Sequence, residues 1–299
     1  MPLADDSGRA RTPATAGFAL AALLAGATCI ALSPIWVRVS ETGPTAAAFW
    51  RVALASPALW LLQPFARRAA APSPAHWKLL LAAGIAFAGD LAIWHTSIKL
   101  TSVANSTLLA NLASIFVTLA AWLLWKQRPR GLFLAGLATA LVGVGMLVQT
   151  SARLSPTALG GDALGVVTAM FYAWYLLLVK QLRDGGAATL RLMATTTTIT
   201  AVLLLPVALA SGEQMMPVTA RGWLTLAGLA LVSHAAGQGL ITYALAHLPA
   251  AFSSVSLLFQ PVMAAVFAWV LLGEPLAPLQ IAGGIVVLLG IYLSRRGSG

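Results

Sequence analysis

Long apolar runs separated by short polar stretches make up most of the chain. Each run is about twenty residues long, the length that an α-helix needs to cross the hydrocarbon core of a bilayer. Bounded by charges, Pro or Gly, the runs predict ten membrane-spanning helices, and their short connections favour antiparallel neighbours. The predicted spans are Gly17–Val37, Pro44–Leu62, Trp77–Ile98, Val103–Trp125, Gly131–Gln149, Ala163–Leu182, Leu192–Ala210, Gly222–Ala246, Ala251–Leu272 and Leu279–Leu293.

The composition agrees with this pattern. Of the 299 residues, 59% are hydrophobic and 9% charged, whereas soluble domains are about 45–50% apolar and about 25% charged. So few charges cannot cover a water-exposed surface, but helices satisfy their own backbone hydrogen bonds inside lipid. The net charge of +10 does not indicate nucleic-acid binding, because Lys and Arg lie in short clusters between the runs. We expect membrane lipid around the protein and no nucleic-acid partner.

The chain matches itself when it is shifted by 147 positions. Ala121, Trp122, Gly136 and Gly143 then fall on Ala268, Trp269, Gly283 and Gly290. Each half holds an odd number of spans, so the second half is inverted relative to the first. The predicted organisation is a tail at 1–16, a first five-helix repeat at 17–149, a linker at 150–161, a second repeat at 162–294 and a tail at 295–299.

The basic residues predict the orientation of the chain in the membrane. With the N-terminus in the cytoplasm, thirteen of the 18 Lys and Arg residues fall in cytoplasmic segments. Four fall outside, namely Arg38, Lys99, Arg153 and Arg221, and Arg51 lies within a span. Such an excess is typical of cytoplasmic loops. We therefore expect both termini to be cytoplasmic, in a bacterial-type inner membrane.

Two glycine pairs mark the last helix of each repeat. Gly136 and Gly143, and likewise Gly283 and Gly290, are seven residues apart, nearly two helical turns, so each pair lies on one face. Small residues on one face permit close backbone approach. This face could serve dimerisation or packing within the bundle, and the sequence leaves both interpretations open.

Polar and aromatic residues in the middle of the predicted spans are the candidates for a central cavity. A charged group at mid-membrane costs about 3 kcal/mol, so it tends to face a cavity, a partner or a transport pathway. The candidates are Asp90, Asn111, Tyr172, Tyr175, His234, Gln238 and Gln260.

Asp90 is the leading candidate. Its ionised form would need a cation, which could be Arg51, His95 or a substrate ammonium, and its neutral form could carry a proton. H+ is thus the expected coupling ion, with uniport as the alternative. A structural ion pair between the second and third helices explains Asp90 equally well. We interpret Arg51 itself as a structural residue or as one whose charged group extends towards the membrane interface.

The other candidates also have two interpretations each. His234 and Gln238 are four residues apart and share a helix face, which predicts either a polar cavity wall or interhelical hydrogen bonds. Gln260 precedes Pro261, and a proline can break a helix beside a binding site or simply kink it. Tyr172 and Tyr175 offer stacking and cation–π surface to an organic solute, or belong to the core.

The sequence carries no motif for catalysis. It contains no G-x-x-x-x-G-K-[ST], H-E-x-x-H or G-x-S-x-G sequence and no cluster of His with carboxylates, so the usual nucleotide, zinc and serine chemistries lack their residues. We expect no enzymatic activity, no cofactor and no metal site.

One segment carries a family resemblance. Leu272 to Gly290, LGEPLAPLQIAGGIVVLLG, resembles the end of the ninth helix, the Gly-Glu turn and the tenth helix of the drug/metabolite transporter superfamily, in particular its ten-helix EamA-type exporters. In the first repeat, Lys126 and Gln127 replace the Gly-Glu pair. Helix count, repeat and topology extend the resemblance over the whole chain.

The resemblance implies a fold and a function. It implies an all-α bundle of two inverted repeats around a central cavity, which exports amino acids or related small metabolites by alternating access. Glu274 carries over as a structural turn residue. The run from Phe49 to Arg51 and the aromatic sixth helix resemble exporters of aromatic and other neutral amino acids.

Two other functional classes are alternatives. A flippase for a lipid-linked headgroup, or another lipid-handling protein, could use Arg67, Arg68, Arg128 and Arg130 for a phosphate, although the positive-inside rule already explains these residues. A channel would need a carbonyl filter or an acidic ring, and the sequence shows neither.

Overall fold

The computed structural model describes residues 13–65, 74–101, 106, 109–148, 156–273 and 275–298. Within these residues all regular structure is helical. Most of the predicted tail at 1–16 and about half of the predicted linker at 150–161 lie outside them, as do Arg67, Arg68, Arg153 and Glu274.

The described residues form thirteen α-helices, one short 3₁₀ turn at Gln63–Phe65 and one π-helical segment at Leu229–Gln238. The α-helices are α1 (Pro13–Ala31), α2 (Ser33–Val39), α3 (Pro44–Leu61), α4 (Pro74–Leu100), α5 (Ala113–Trp125), α6 (Gly131–Val148), α7 (Pro156–Asp184), α8 (Thr189–Ala210), α9 (Ala220–Gly228), α10 (Gly239–Ala244), α11 (Ala250–Ser256), α12 (Phe259–Leu272) and α13 (Pro278–Gly297).

These helices join into the ten predicted spans. Among the described residues, seven stretches are long and apolar enough to cross a membrane, and two apolar helices, Ala113–Trp125 and Gly131–Leu147, are shorter. The seven are Thr15–Val39, His76–Ser97, Leu159–Asp184, Thr189–Ala210, Ala220–Ala244, Ala250–Leu272 and Pro278–Gly297. The remaining span is α3, which carries Arg51 near its middle. The predicted all-α, polytopic membrane architecture is confirmed.

Several spans that the sequence predicts as continuous helices are interrupted. The first span breaks at Leu32, between α1 and α2, and Pro34 stands in the first turn of α2. The ninth span breaks at Leu257 and Leu258, between α11 and α12, and Pro261 stands in the first turn of α12. Proline has no N–H and is tolerated in a first helical turn, so it allows a new helix to start there. The eighth span contains the π-helical segment between α9 and α10.

The contacts between spans follow the internal repeat. The second span packs against the seventh, the fourth against the ninth and the fifth against the tenth. The packing of the third span on the sixth has its counterpart in the packing of the eighth on the first. Exchanging the two halves therefore preserves the pattern of contacts. With five spans in each half, the halves run in opposite directions through the membrane.

The glycine faces pack against each other inside the bundle. A Cβ added to Gly143 would lie 2.6 Å from Val287 N and 2.7 Å from Gly283 O, and one added to Gly290 would overlap the backbone of Ala140. The backbones of α6 and α13 thus approach too closely for a side chain. Of the two interpretations left open by the sequence, the structure supports packing within the bundle.

Candidate substrate cavity

A cavity of about 140 Å³ lies between the two repeats. Its wall comes from the first four spans and from the sixth, eighth and ninth. The polar side chains that line it are Ser33, Arg51, Asp90, Asn111, Thr168, Tyr172, Gln238 and Gln260. The larger apolar ones are Ile30, Pro34, Phe87, Leu91, Trp94 and Pro261.

The interruptions of the helices lie at this cavity. Ser33 and Pro34 follow the break in the first span, Gln238 ends the π-helical segment, and Gln260 follows the break in the ninth span. In the fourth span, a turn at Asn111 precedes α5. Shifted by 147 positions, Asn111 falls on Leu258, the residue at the break of the ninth span. Interrupted helices in a membrane are tolerated where they line a cavity, and in transporters they surround the substrate.

Five of the seven predicted candidates line this cavity. They are Asp90, Asn111, Tyr172, Gln238 and Gln260, and they come from five different spans. The Gln260 side chain lies beside the Tyr172 hydroxyl, so the sixth and ninth spans meet through polar groups here. Their role in binding a solute stays a prediction.

The other two candidates, His234 and Tyr175, lie behind the cavity wall. The Phe87 ring lines the cavity and contacts both of them: it is stacked on His234 at a centroid distance of 5.4 Å and tilted against Tyr175 at 4.7 Å. His234 Nε2 is hydrogen-bonded to Thr197 Oγ1 at 2.8 Å. Since both rings are 1% exposed, this arrangement makes them supports of Phe87 rather than part of the lining.

His95, which the sequence offers as a partner for Asp90, lies on a different face of the third span. Five positions separate the two residues, which is about 140° around a helix. The His95 ring lies edge-on to Trp94, and its Nδ1 is 2.6 Å from the carbonyl oxygen of Leu91 in the preceding turn. Asp90 lines the cavity instead, so this geometry does not support a proton relay between the two side chains.

Two opposite charges are buried in the cavity wall. Arg51 of α3 is 6% exposed and Asp90 of α4 is 9% exposed. The two attract each other electrostatically, yet among the described residues no hydrogen bond or close ion pair joins them. Tyr172 is also close enough to interact with both charges. The cavity wall thus contains one basic and one acidic side chain.

Several polar atoms of the lining have no hydrogen-bond partner within the described part of the chain. They are Ser33 Oγ, Arg51 Nε, Thr168 Oγ1 and Gln238 Nε2. All four can donate a hydrogen bond. Buried polar groups are almost always satisfied by protein, water or ligand, so these atoms indicate that the cavity is built to hold polar contents.

The volume indicates the size of solute for which the cavity has room. An apolar cavity of about 150 Å³ in another protein holds a benzene molecule. A cavity of about 140 Å³ therefore has room for a small organic solute. Among the described residues, no group of three or more His, Cys, Asp or Glu side chains could hold a metal ion.

Sequence reasoning missed part of the lining. Ser33 and Thr168 are short hydroxyl residues in apolar runs, where they usually bond to their own helix and give no signal. Arg51 is visible in the sequence as a charge within a span. The sequence does not show how deep in the membrane its guanidinium lies or towards which neighbouring helix it points, so a structural role is the favoured interpretation. Its position near the middle of a span is the one available signal for the cavity.

Comparisons with known proteins extend these observations. The EamA-like transporter family matches the chain twice, over residues 17–149 and 159–296. An uncharacterised transporter of Archaeoglobus fulgidus is 29% identical over 270 residues, which cover 87% of this chain and 90% of that protein. The pseudopaline exporter CntI of Pseudomonas aeruginosa is 26% identical over 283 residues, which cover 94% and 96% of the two chains.

A solved crystal structure shares the fold. It superposes with a TM-score of 0.75 at 15% sequence identity and covers 96% of this chain and 98% of its own. At this identity the likeness concerns the fold alone. It agrees with the helical architecture described above.

Proposed function

Because the chain belongs to the EamA-like transporter family of the drug/metabolite transporter superfamily, we propose that it exports amino acids or similar small metabolites by alternating access. The observation that carries this proposal is the cavity between the two repeats, with Arg51 and Asp90 buried in its wall. In inverted-repeat transporters the solute binds near the bilayer midplane at the repeat interface. Rocking of the repeats would then expose it to each side in turn.

Several details of the proposal have separate support. Aromatic and neutral amino acids are the proposed solutes, and the rings of Phe87, Trp94 and Tyr172 in the cavity wall support this. Export as the direction is supported by the name of the Pseudomonas relative. The distribution of Lys and Arg supports an inner membrane with both termini in the cytoplasm.

Proton coupling is proposed to act through Asp90. Its carboxylate lines the cavity, and the groups that interact with it are Arg51 on α3 and Tyr172 and Tyr175 on α7. An exporter that releases its solute when this carboxylate gains a proton would couple efflux to proton entry. Uniport is the alternative, and it predicts that transport does not depend on a pH gradient.

The proposal is tested by uptake of labelled amino acids into proteoliposomes. We expect saturable uptake above that of protein-free liposomes and at least a tenfold loss in Asp90→Asn, a variant whose folding is checked by its thermal unfolding in detergent. Failure of the folded wild-type protein to take up any amino acid would contradict the proposed substrate class. In that case, scrambling of labelled lipid in the same vesicles would identify a lipid-handling protein.

A further inference from the structure

We infer that Arg51 and Asp90 together recognise a zwitterion, with the carboxylate of the solute at Arg51 and its ammonium at Asp90. The inference rests on the proposed transport function. It specifies which groups of the solute are bound by the cavity. It also gives Arg51 a role in binding, which differs from the structural role expected from the sequence.

Arg51 and Asp90 both lack a close ionic partner among the described residues. Both side chains are more than nine-tenths buried, and a buried charge without a close partner is unfavourable. Nothing in the described part of the chain pairs either one directly, although they attract each other. An α-amino acid carries a carboxylate and an ammonium on one carbon atom, so it can lie between Arg51 and Asp90 and neutralise both.

Hydrogen-bond donors without a partner in the described part of the chain accompany Arg51 in the cavity wall. Ser33, Arg51 and Gln238 belong to the first, second and eighth spans, and the first and second spans both pack against the eighth. Each offers a buried donor atom without a partner among the described residues. A carboxylate only accepts hydrogen bonds, and a guanidinium binds it with two parallel bonds. This part of the wall therefore suits the carboxylate of the solute.

Aromatic side chains accompany Asp90 in the cavity wall. The third span, which carries Asp90, packs against the sixth, which carries Tyr172. Trp94 stands one turn after Asp90 and also lines the cavity. An ammonium group donates hydrogen bonds to a carboxylate and is attracted electrostatically to the faces of aromatic rings. This part of the wall suits the ammonium of the solute.

The same pair of side chains should discriminate between zwitterions and solutes with a single charge. A solute with only a carboxylate leaves Asp90 without its partner, and a solute with only an amine leaves Arg51 without its partner. A site built to bind a polar group of its solute binds analogues without that group much more weakly, because the polar groups of the site are then left unpaired. We therefore expect analogues with one charge to bind at least about tenfold more weakly than the parent amino acid.

The test uses solutes that differ by one charged group. Alanine, leucine and phenylalanine are each compared with the amine that lacks the carboxylate and with the acid that lacks the ammonium. Binding to the purified full-length protein is measured by scintillation proximity with the labelled amino acid and competition by its two analogues. The wild type is compared with Arg51→Gln, Arg51→Lys and Asp90→Asn, and thermal unfolding shows which variants are folded.

The expected result is a change in selectivity that depends on the variant. In Arg51→Gln the preference for the amino acid over its amine should fall to less than about threefold. In Asp90→Asn the preference for the amino acid over its acid should fall in the same way. Arg51→Lys should keep part of the preference. A merely structural role of the pair would instead lower the binding of all solutes together and leave the preferences unchanged, which would overturn the inference.

Failure of the zwitterion site is distinguishable from failure of the proposed function. Saturable transport of an amino acid, with equal binding of both its singly charged analogues, would overturn the zwitterion site and leave transport intact. Saturable transport of an uncharged metabolite, unaffected by Arg51→Gln and Asp90→Asn, would do the same. Absence of saturable flux for every solute would overturn both.

Discussion

The carboxylate of Glu213 accepts a hydrogen bond from the backbone N–H of Thr45 at 2.7 Å and another from the Thr45 hydroxyl at 3.1 Å. It also accepts one from the backbone N–H of Ala46 at 3.1 Å. The loop before the eighth span thus caps the N-terminus of α3, the helix that carries Arg51. A negative charge at a helix N-terminus satisfies free N–H groups and interacts favourably with the helix dipole.

Removing this cap should destabilise the protein. We expect Glu213→Ala to lower the free energy of unfolding by about 1–2 kcal/mol, because helix-capping groups contribute that much. Glu213→Gln should cost less, since an amide oxygen still accepts a hydrogen bond but lacks the charge. Gln214→Ala, on the same loop and exposed, is the matched control. Unfolding in detergent measures the effect, and equal stability of Glu213→Ala and the control would refute the capping role.

Glu41 forms the reciprocal cap. Its carboxylate accepts hydrogen bonds from the backbone N–H groups of Val218 and Thr219 at 2.7 and 2.9 Å and from the Thr219 hydroxyl. These bonds, that of the Thr219 hydroxyl foremost, lower the pKa of the Glu41 carboxyl below its usual 4.5. The two caps tie the ends of the second and eighth spans together.

The lowered pKa predicts the pH dependence of this cap. Stability from a carboxylate with a lowered pKa is fully present above the unfolded pKa, near 4.5, and is lost as the pH falls through the folded value. The difference in unfolding temperature between the wild type and Glu41→Gln should therefore be constant from neutral pH to about pH 5.5 and shrink at lower pH. A difference that grows as the pH falls would contradict the assignment.

The contact between α6 and α13 gives a prediction with an internal control. Gly143→Ala places a Cβ 2.6 Å from Val287 N, so the helices must separate and the variant should lose stability by about 1–3 kcal/mol. Gly145→Ala, two residues along the same helix, meets nothing within 4 Å. Ala favours helix over Gly by about 1 kcal/mol, so this control should be neutral or stabilising. Similar unfolding temperatures for the two variants would rule out the close packing.

The placement of His234 behind Phe87 predicts that it supports the cavity wall. Thr197→Val removes the partner of His234 Nε2 and leaves a buried polar atom unsatisfied, which should cost about 1–3 kcal/mol of stability. Thr139→Val, whose hydroxyl bonds to its own helix at an exposed position, is the control. In proteoliposomes, Thr197→Val should retain the solute preferences of the wild type, and a changed preference would place His234 at the solute instead.

The membrane-spanning helices could be predicted from the sequence, but the breaks within them could be predicted only in part. A helix that crosses a bilayer needs about twenty apolar residues, so the ten spans could be predicted from the apolar runs. The repeat could be predicted from the match of the chain with itself. Interruptions such as the π-helical segment at Leu229–Gln238 could not be predicted, because they depend on packing between spans. Pro34 and Pro261 each stand just after a break and signal it, whereas the π-helical segment contains no proline.

The candidate site was predictable in part for the same reason. A polar residue at mid-span has to face a cavity or a partner, which selected Asp90, Asn111, Tyr172, Gln238 and Gln260. Helical spacing gives the face of a residue but not its depth. His234 therefore shares a predicted face with Gln238, yet it lies one turn away in the stack behind Phe87.

The most direct test of alternating access is stimulation of uptake by solute trapped on the other side of the membrane. Labelled amino acid is added to proteoliposomes that contain either buffer or the same unlabelled amino acid at high concentration. We expect several-fold faster uptake into the loaded vesicles, because the carrier returns with solute bound. We expect no such effect for Ala264→Trp, which fills the cavity. Val270→Trp, at an exposed position of the same helix, should behave as the wild type. Saturable uptake without stimulation, or undiminished stimulation in Ala264→Trp, would contradict transport through this cavity.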